Sequence, residues 1–258
     1  MVKNLKDQTI VILGGTSGIG YAVAENLLAY SEANVVIGSS SATRVEAAVS
    51  TLSQINGAKS RISGYQVNLD TSTSEQSIVQ FFDKIGTVNH LIYTAGDSLS
   101  ATLLPIDQIS KSTVEKGYDI RYWSLLATIR IALPHMPKSY ESSIIVTSGT
   151  VAFRPMKGWG SSAAGLASAL DGLTRGLAVD LAPIRVNCVA PGAITDTGLW
   201  SGMDSETLAA FNEQLKKNSL TGQIGRSEDV AEAYAYLVRG GFTTGQTLII
   251  DGGEMLSR

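Results

Sequence analysis

Apolar runs alternate with longer segments of helical period along nearly the whole chain. The apolar runs have the length and continuity of strands buried on both faces; they are Thr9–Leu13, Asn34–Ile37, Tyr65–Leu69, His90–Thr94, Ser143–Thr147, Arg185–Val189 and Thr247–Ile250. The helical segments between them are Ile19–Tyr30, Ala42–Gln54, Ser74–Ile85, Lys111–Leu133, Ala163–Leu181 and Glu228–Val238. This alternation predicts an α/β fold with a doubly wound parallel sheet of about seven strands and helices on both faces.

The alternation continues without a linker or a low-complexity tract, which predicts one domain over residues 1–258. One stretch, residues 199–219, interrupts it with Trp200, Met203, Leu208 and Phe211, and we interpret this stretch as a substrate flap or small helical lid. Charged residues make up 17% of the chain, below the roughly 25% that is typical of soluble domains. Much of the surface is therefore expected to be hidden in a large core or in subunit contacts.

Composition argues against several classes of protein. No run approaches the roughly 20 apolar residues that cross a bilayer, and the first residues lead into a strand rather than a secretory signal. A single cysteine, Cys188, favours a reducing compartment, and we expect a cytoplasmic protein. The two histidines, His90 and His135, are too isolated for a metal site, and a net charge of −3 argues against nucleic acid as a partner.

A glycine-rich turn follows the first strand and opens the first helix. Its glycines permit a tight turn and close backbone approach, and the exposed amides at the helix start favour an anionic pyrophosphate. A plain strand–helix turn is the simpler alternative. The position near the N-terminus favours dinucleotide binding in a Rossmann-type fold; the candidate residues are Gly14, Thr16, Ser17, Gly18, Ile19 and Gly20.

The end of the second strand selects between the two nicotinamide dinucleotides. A site specific for NAD would place a carboxylate there, whereas this chain has Ser39, Ser40, Ser41 and Arg44. Hydroxyls and a guanidinium suit the 2′-phosphate of NADP(H). Alternatively, Ser41 or Thr43 only caps the next helix and Arg44 is solvated.

Taken together, the motifs resemble those of the short-chain dehydrogenase/reductase family over essentially the whole length. The glycine turn, Tyr93-Thr94-Ala95-Gly96, Ile184-Arg185-Val186-Asn187, Pro191-Gly192 and Asp251-Gly252-Gly253 carry the resemblance. It implies adenine contacts at Asn68 and Leu69, further cofactor contacts at Ala95 and Gly96, and nicotinamide contacts at Pro191, Gly192 and Ile194. It also implies a small-molecule substrate and a homotetramer, with the Lys111–Leu133 and Ala163–Leu181 helices in one interface.

The chain departs from the family at its catalytic residues, which are Asn, Ser, Tyr and Lys. Aligning the helix at Ala169-Leu170-Asp171-Gly172 puts Ala167 at the lysine position and Ala163 at the tyrosine position. The serine position falls on Thr150, and the asparagine position falls on Arg121. Because no Tyr-x-x-x-Lys occurs in the sequence, the family's general acid is missing.

Hydride chemistry that needs no strong acid survives this loss. An iminium ion already carries its positive charge, and a polarised alkene is reducible where Arg121 stabilises the developing enolate. We therefore take Arg121, Thr150 and Trp159 as candidate catalytic residues, with Tyr93 and Tyr122 as lesser proton donors. The structural alternatives are a salt bridge for Arg121, a turn hydroxyl for Thr150 and packing for Trp159.

Arg121, Arg154-Pro155 and Trp159 together resemble the fungal indole-alkaloid reductase/Diels–Alderase group, although Met156 replaces that group's aspartate. The leading hypothesis is an NADPH-dependent reductase of an iminium or conjugated acceptor in secondary metabolism. A cofactor-retaining cyclase that guides a pericyclic step is the second hypothesis, and a non-catalytic NADP-binding sensor is the third.

Overall fold

The computed structural model describes residues 4–70, 75–96, 105–155, 157, 160–198 and 204–257. Its strands are β1 (Thr9–Leu13), β2 (Asn34–Ser39), β3 (Ile62–Gln66), β4 (His90–Tyr93), β5 (Ser143–Thr147), β6 (Arg185–Pro191) and β7 (Thr247–Ile250). Its α-helices are α1 (Gly18–Tyr30), α2 (Ala42–Leu52), α3 (Glu75–Ile85), α4 (Lys111–Tyr118), α5 (Ser124–Ala132), α6 (Gly160–Asp180), α7 (Ser205–Asn218) and α8 (Ser227–Arg239). None of these described helices is long and apolar enough to cross a membrane.

All seven strands belong to one parallel sheet in the order β3-β2-β1-β4-β5-β6-β7. The chain builds the sheet outward from β1 to β3, and then returns to the other side of β1 to place β4. The strand order therefore reverses between β1 and β4, and in such sheets ligands bind outside the carboxyl ends of the strands at that point. This topology confirms the predicted Rossmann-type doubly wound sheet.

The apolar core lies on both faces of the sheet. Ile10 and Ile12 of β1 belong to the core cluster that contains α1 and α8 residues. Val11 and Leu13 point to the opposite face, where they pack with residues of α3, α5 and α6. Because successive strand residues point to opposite faces, a strand covered on both sides needs an unbroken apolar run, which is the pattern that predicted it.

The third strand begins three residues earlier than the sequence predicts. The expected strand was Tyr65–Leu69, whereas the backbone pairs from Ile62 of β3 with Val35 of β2. β3 is an edge strand with mostly half-buried residues, so its hydrophobic signal is weak. Val67 and Leu69 supplied the stronger signal, but they are buried beyond the end of the strand, where they border a cleft.

The long helix predicted over Lys111–Leu133 is divided by a π-helical turn at Asp119–Trp123. In this turn the Ser124 amide donates to the Asp119 carbonyl five residues earlier. A π-turn inserts one extra residue into the helix and rotates the side chains around it, and such turns occur often at functional sites.

Much of the predicted flap at residues 199–219 is the helix α7. Asp204 caps it, since its carboxylate accepts a hydrogen bond of 2.9 Å from the Thr207 amide. Residues 199–203, including Trp200 and Met203, lie outside the described residues. A flap function for this stretch therefore stays a prediction.

Candidate active site

A cleft of about 660 Å³ lies at the carboxyl ends of the strands, beside the reversal between β1 and β4. Every predicted cofactor residue except Ser41 lines it, together with Arg121 and Thr150. The residues involved are Gly14, Thr16, Ser17, Gly18, Ile19, Gly20, Ser39, Ser40, Arg44, Asn68, Leu69, Ala95, Gly96, Pro191, Gly192 and Ile194. The fold thus brings together segments that are widely separated in the sequence.

The glycine turn is packed so closely that side chains would not fit. Gly14 has a φ of +87°, and a Cβ there would lie 2.8 Å from both the Ala95 amide nitrogen and Thr94 Oγ1. The Thr94 hydroxyl fixes this arrangement by donating to the Leu13 carbonyl at 2.9 Å. Ser17, the N-cap of α1, makes no side-chain capping bond. The amides at the start of α1 are therefore oriented to receive an anion, as a pyrophosphate site requires.

The loop after β2 places a positive charge and hydroxyls at one end of the cleft. Arg44 Nη2 donates to Ser40 Oγ at 3.3 Å, and both residues line the cleft with Ser39. Ser41 does not, because its hydroxyl accepts from the Arg44 amide at 3.3 Å and caps α2. Ser41 thus has the capping role that the sequence left as an alternative, and its contact with the cofactor stays a prediction.

The opposite end of the cleft is formed by the loop after β6. Ile194 is 4% exposed and bridges to Gly225, so its backbone is held in place. The Asp196 carboxylate accepts from the Ser227 amide and hydroxyl at 3.0 and 2.8 Å. Thr197 reaches back to the glycine turn, where a Cβ on Gly18 would lie 3.3 Å from its methyl. The loop after β6 is therefore in contact with the glycine turn.

Two alanines that the sequence predicts at the family's tyrosine and lysine positions line the cleft. Ala163 and Ala167 are 5% and 7% exposed on α6. The Ser148 hydroxyl donates to the Ala167 carbonyl at 2.9 Å. Thr150 follows two residues later, at the start of a short 3-10 helix. Among the described residues that line the cleft there is no tyrosine, lysine, histidine or carboxylate. The only charged side chains in this described lining are Arg44 and Arg121.

Arg121 lies in the π-turn, and its guanidinium rests on Gly96 at the end of β4. A Cβ on Gly96 would lie 2.5 Å from Nη1 and 2.6 Å from Nη2. A side chain at this position would therefore displace the guanidinium.

The two tyrosines proposed as lesser proton donors are engaged elsewhere. The Tyr93 hydroxyl donates to the Ile120 carbonyl at 2.6 Å, and Tyr93 is 2% exposed. The Tyr122 ring packs edge-on against Trp123 and beside Tyr118, with centroid separations of 5.1 and 6.0 Å. Neither tyrosine lines the cleft, so their predicted role as donors to substrate is not supported. The third catalytic candidate, Trp159, lies outside the described residues.

Sequence reasoning missed a carboxyl group beside the cleft. Glu254 Oε2 lies 3.4 Å from where a Cβ of Gly192 would be, and Arg154 Nη1 donates to the Glu254 carbonyl at 2.6 Å. Burial raises the pKa of Glu254, the Asp251 charge raises it further, and Arg154 lowers it. No local motif marks Glu254, because the C-terminal segment reaches the site only through the fold.

Several hydroxyl residues that line the cleft were also missed. Thr94 directly follows β4, Thr147 ends β5 and Ser148 directly follows it, and Thr197 lies in the loop after β6. Their positions after predicted strands could have indicated them, because residues at the carboxyl ends of parallel strands converge on one edge of the sheet.

Comparisons with known proteins agree with this architecture. A protein-family model for an SDR-like Rossmann domain matches residues 1–257. The chain is 36% identical to the short-chain dehydrogenase/reductase fsr5 of Gibberella fujikuroi, over 99% of this chain and 97% of the relative. It is 30% identical to the short-chain dehydrogenase/reductase malC of Malbranchea aurantiaca, over 98% of this chain and 96% of the relative.

Two solved structures extend the comparison. The MalC reductase/Diels–Alderase of Malbranchea aurantiaca matches with a TM-score of 0.89 and 30% identity, covering 98% of both chains. A small-chain dehydrogenase in complex with NADPH matches with a TM-score of 0.77 and 25% identity, covering 97% of this chain and 99% of the other. Together with the glycine turn and the strand order, these matches establish that the chain belongs to the short-chain dehydrogenase/reductase family.

Proposed function

We propose that the protein is an NADPH-dependent reductase of a small conjugated or iminium acceptor. The observation that carries the proposal is that Ala163 and Ala167, predicted at the positions of the family's acid and lysine, line one cleft with the glycine turn. The same cleft contains the Arg121 guanidinium and the Thr150 hydroxyl. A site of this composition can bind a hydride donor but lacks the phenol that protonates a neutral ketone.

The residues present fit NADP(H). The close packing of Gly14 on Thr94 and Ala95 fixes the turn, and the start of α1 has no side-chain cap, so its amides are open to a pyrophosphate. Arg44 and Ser40 would hold the 2′-phosphate, and Ile194 would offer its backbone to the carboxamide. The bound NADPH of a neighbouring structure supports this choice. When bound, the dinucleotide supplies the hydride.

Arg121 would act on the substrate oxygen. Hydride addition to a conjugated carbonyl compound gives an enolate with negative charge on that oxygen, and a guanidinium stabilises the charge at any relevant pH. Water would then supply the proton that the enolate carbon takes up. Thr150 would donate a second hydrogen bond to the same atom. An iminium acceptor needs no such donor, because addition of hydride neutralises it. The two acceptor classes therefore differ in how far they depend on Arg121.

A second candidate function is a cyclase that retains the cofactor and guides a pericyclic step. It is favoured by the match to a protein named both a reductase and a Diels–Alderase. The apolar wall of Ala163, Leu166, Ala167 and Leu170 on α6 suits a compact apolar substrate that must be held in one shape. We place either activity in secondary metabolism.

We also propose a cytoplasmic homotetramer. An apolar groove of about 440 Å³ runs between α5 and α6 and includes Trp123, which is 53% exposed, with Leu126, Leu133, Leu177 and Leu181. A single chain leaves this surface in water, and a second copy would bury it. Light scattering of the purified protein tests the assembly, and a monomer would contradict it.

The function is tested by NADPH oxidation against iminium, enone and ketone compounds. We expect turnover of an iminium or an enone, with ketones at least about a hundredfold slower. Arg121→Ala should lower the enone rate by on the order of a hundredfold. Arg226→Ala is the matched control, because Arg226 is an exposed arginine that pairs with Glu228 and lines neither the cleft nor the apolar groove.

Three outcomes would contradict parts of this proposal. Fast ketone reduction that is indifferent to Arg121→Ala would refute the mechanism. A product whose stereochemistry depends on the protein, with no NADPH consumed, would select the cyclase. Binding of NADPH with no turnover and no effect on product would select a sensor.

A further inference from the structure

The π-turn that carries Arg121 is held from β4 by a buried hydroxyl. Tyr93 ends β4, and its hydroxyl donates to the Ile120 carbonyl at 2.6 Å. Ile120 directly precedes Arg121 within the turn. A phenol donor and a backbone acceptor at this distance form a short, well-made hydrogen bond. The backbone on one side of Arg121 is therefore fixed to the sheet.

The other side of the turn is fixed as well. Ser124, which ends the turn, is fully buried and its hydroxyl donates to the Leu69 carbonyl. Leu69 belongs to the loop after β3 that lines the cleft. Two side-chain hydrogen bonds to segments that follow different strands thus lie on either side of Arg121 within the helix.

The same end of β4 that carries the Tyr93 hydroxyl leads into the segment on which the Arg121 guanidinium lies. Gly96 lies three residues after Tyr93, and the Arg121 guanidinium rests on it. A shift of the turn would therefore move both the backbone of Arg121 and its charged group relative to the cleft.

We propose that Tyr93 is a positioning residue for Arg121, acting through the π-turn rather than by proton donation to substrate. This inference rests on the proposed function of Arg121. Tyr93 stands where the family has the first asparagine of its Asn-Asn-Ala-Gly motif. In this chain the tyrosine would hold the backbone of the arginine that the site uses. Phenylalanine would fill the same buried space and remove only the donor.

The decisive experiment is a double-mutant cycle of Tyr93→Phe and Arg121→Ala, measured as kcat for the enone that the wild type reduces best. We expect Tyr93→Phe to lower kcat by about tenfold or more, with the NADPH dissociation constant changed by less than about twofold. In the Arg121→Ala background the same change should have almost no effect, because its only route to the chemistry is gone. Tyr30→Phe, at an exposed position on α1, is the control.

A second readout does not depend on activity. Hydrogen exchange of the backbone amides in residues 119–125 should accelerate in Tyr93→Phe and remain at the wild-type rate in Tyr30→Phe. Effects of the two substitutions on kcat that simply multiply would overturn the proposal, as would unchanged exchange in Tyr93→Phe. If Arg121→Ala alone leaves enone turnover intact, the proposed function fails first. In that case the exchange rates decide alone whether Tyr93 holds the turn.

Discussion

The contact between Gly96 and Arg121 allows the position of the guanidinium to be tested with a single methyl group. The Cβ of Gly96→Ala would lie 2.5 and 2.6 Å from the two terminal nitrogens, whereas ordinary contact begins at 3.4 Å. The guanidinium must therefore move by about 1 Å, and a displacement of that size at a reacting centre costs on the order of a hundredfold in rate. Gly96 is not among the glycines with positive φ, so alanine adds no backbone strain.

The stability of Gly96→Ala separates this effect from misfolding. Because the Arg121 guanidinium is the end of a flexible side chain and can move aside, we expect the free energy of unfolding to change by less than about 1 kcal/mol. Gly172→Ala is the control, since nothing lies within 4 Å of its Cβ. The assay is kcat for enone reduction together with the NADPH dissociation constant. A wild-type kcat in Gly96→Ala, or a loss explained entirely by weaker NADPH binding, would refute the assigned position of Arg121.

Two further predictions concern the cofactor and the pH dependence of stability. Arg44→Ala should raise the NADPH dissociation constant by about tenfold to a hundredfold and leave NADH binding within about twofold; equal losses for both cofactors in a fluorescence titration would show that Arg44 does not read the 2′-phosphate. Burial raises the pKa of Glu254, so the folded chain holds this proton more tightly than the unfolded chain. Stability should therefore fall as pH rises from the ordinary glutamate pKa through the raised one. Glu254→Gln should flatten that part of the curve in urea unfolding, and an identical pH dependence in the variant would contradict the shift.

Much of the fold could be predicted because its signal is local. β1, β5 and β7 begin and end at the predicted residues, since each is an apolar run bounded by polar or glycine residues. β3 could not be placed in the same way, because an edge strand needs fewer apolar residues and the stronger run beyond it lines the cleft. The pairing with β2, which no local pattern encodes, decides its position.

The residues of the candidate site also differ in how far the local sequence predicts them. The place of the glycine turn and of Arg44 in the cleft could be predicted, because their residue types and their positions after β1 and β2 indicate it. The capping role of Ser41 was decided only by where its hydroxyl points. The π-turn around Arg121 is bonded to two distant segments, at Tyr93 and at Leu69, and Glu254 reaches the cleft through the path of the C-terminal segment. Contacts between segments far apart in sequence leave no periodic signature.

The central claim is that this cleft keeps a hydride donor while lacking the family's proton donor. Transfer of deuterium from NADPH labelled at the nicotinamide C4 position, followed by mass spectrometry of the product, tests this claim most directly. We expect one deuterium at the electrophilic carbon of an enone or iminium acceptor and almost none in a matched saturated ketone. Efficient deuteration of the ketone, or an unlabelled product from every acceptor, would contradict the account.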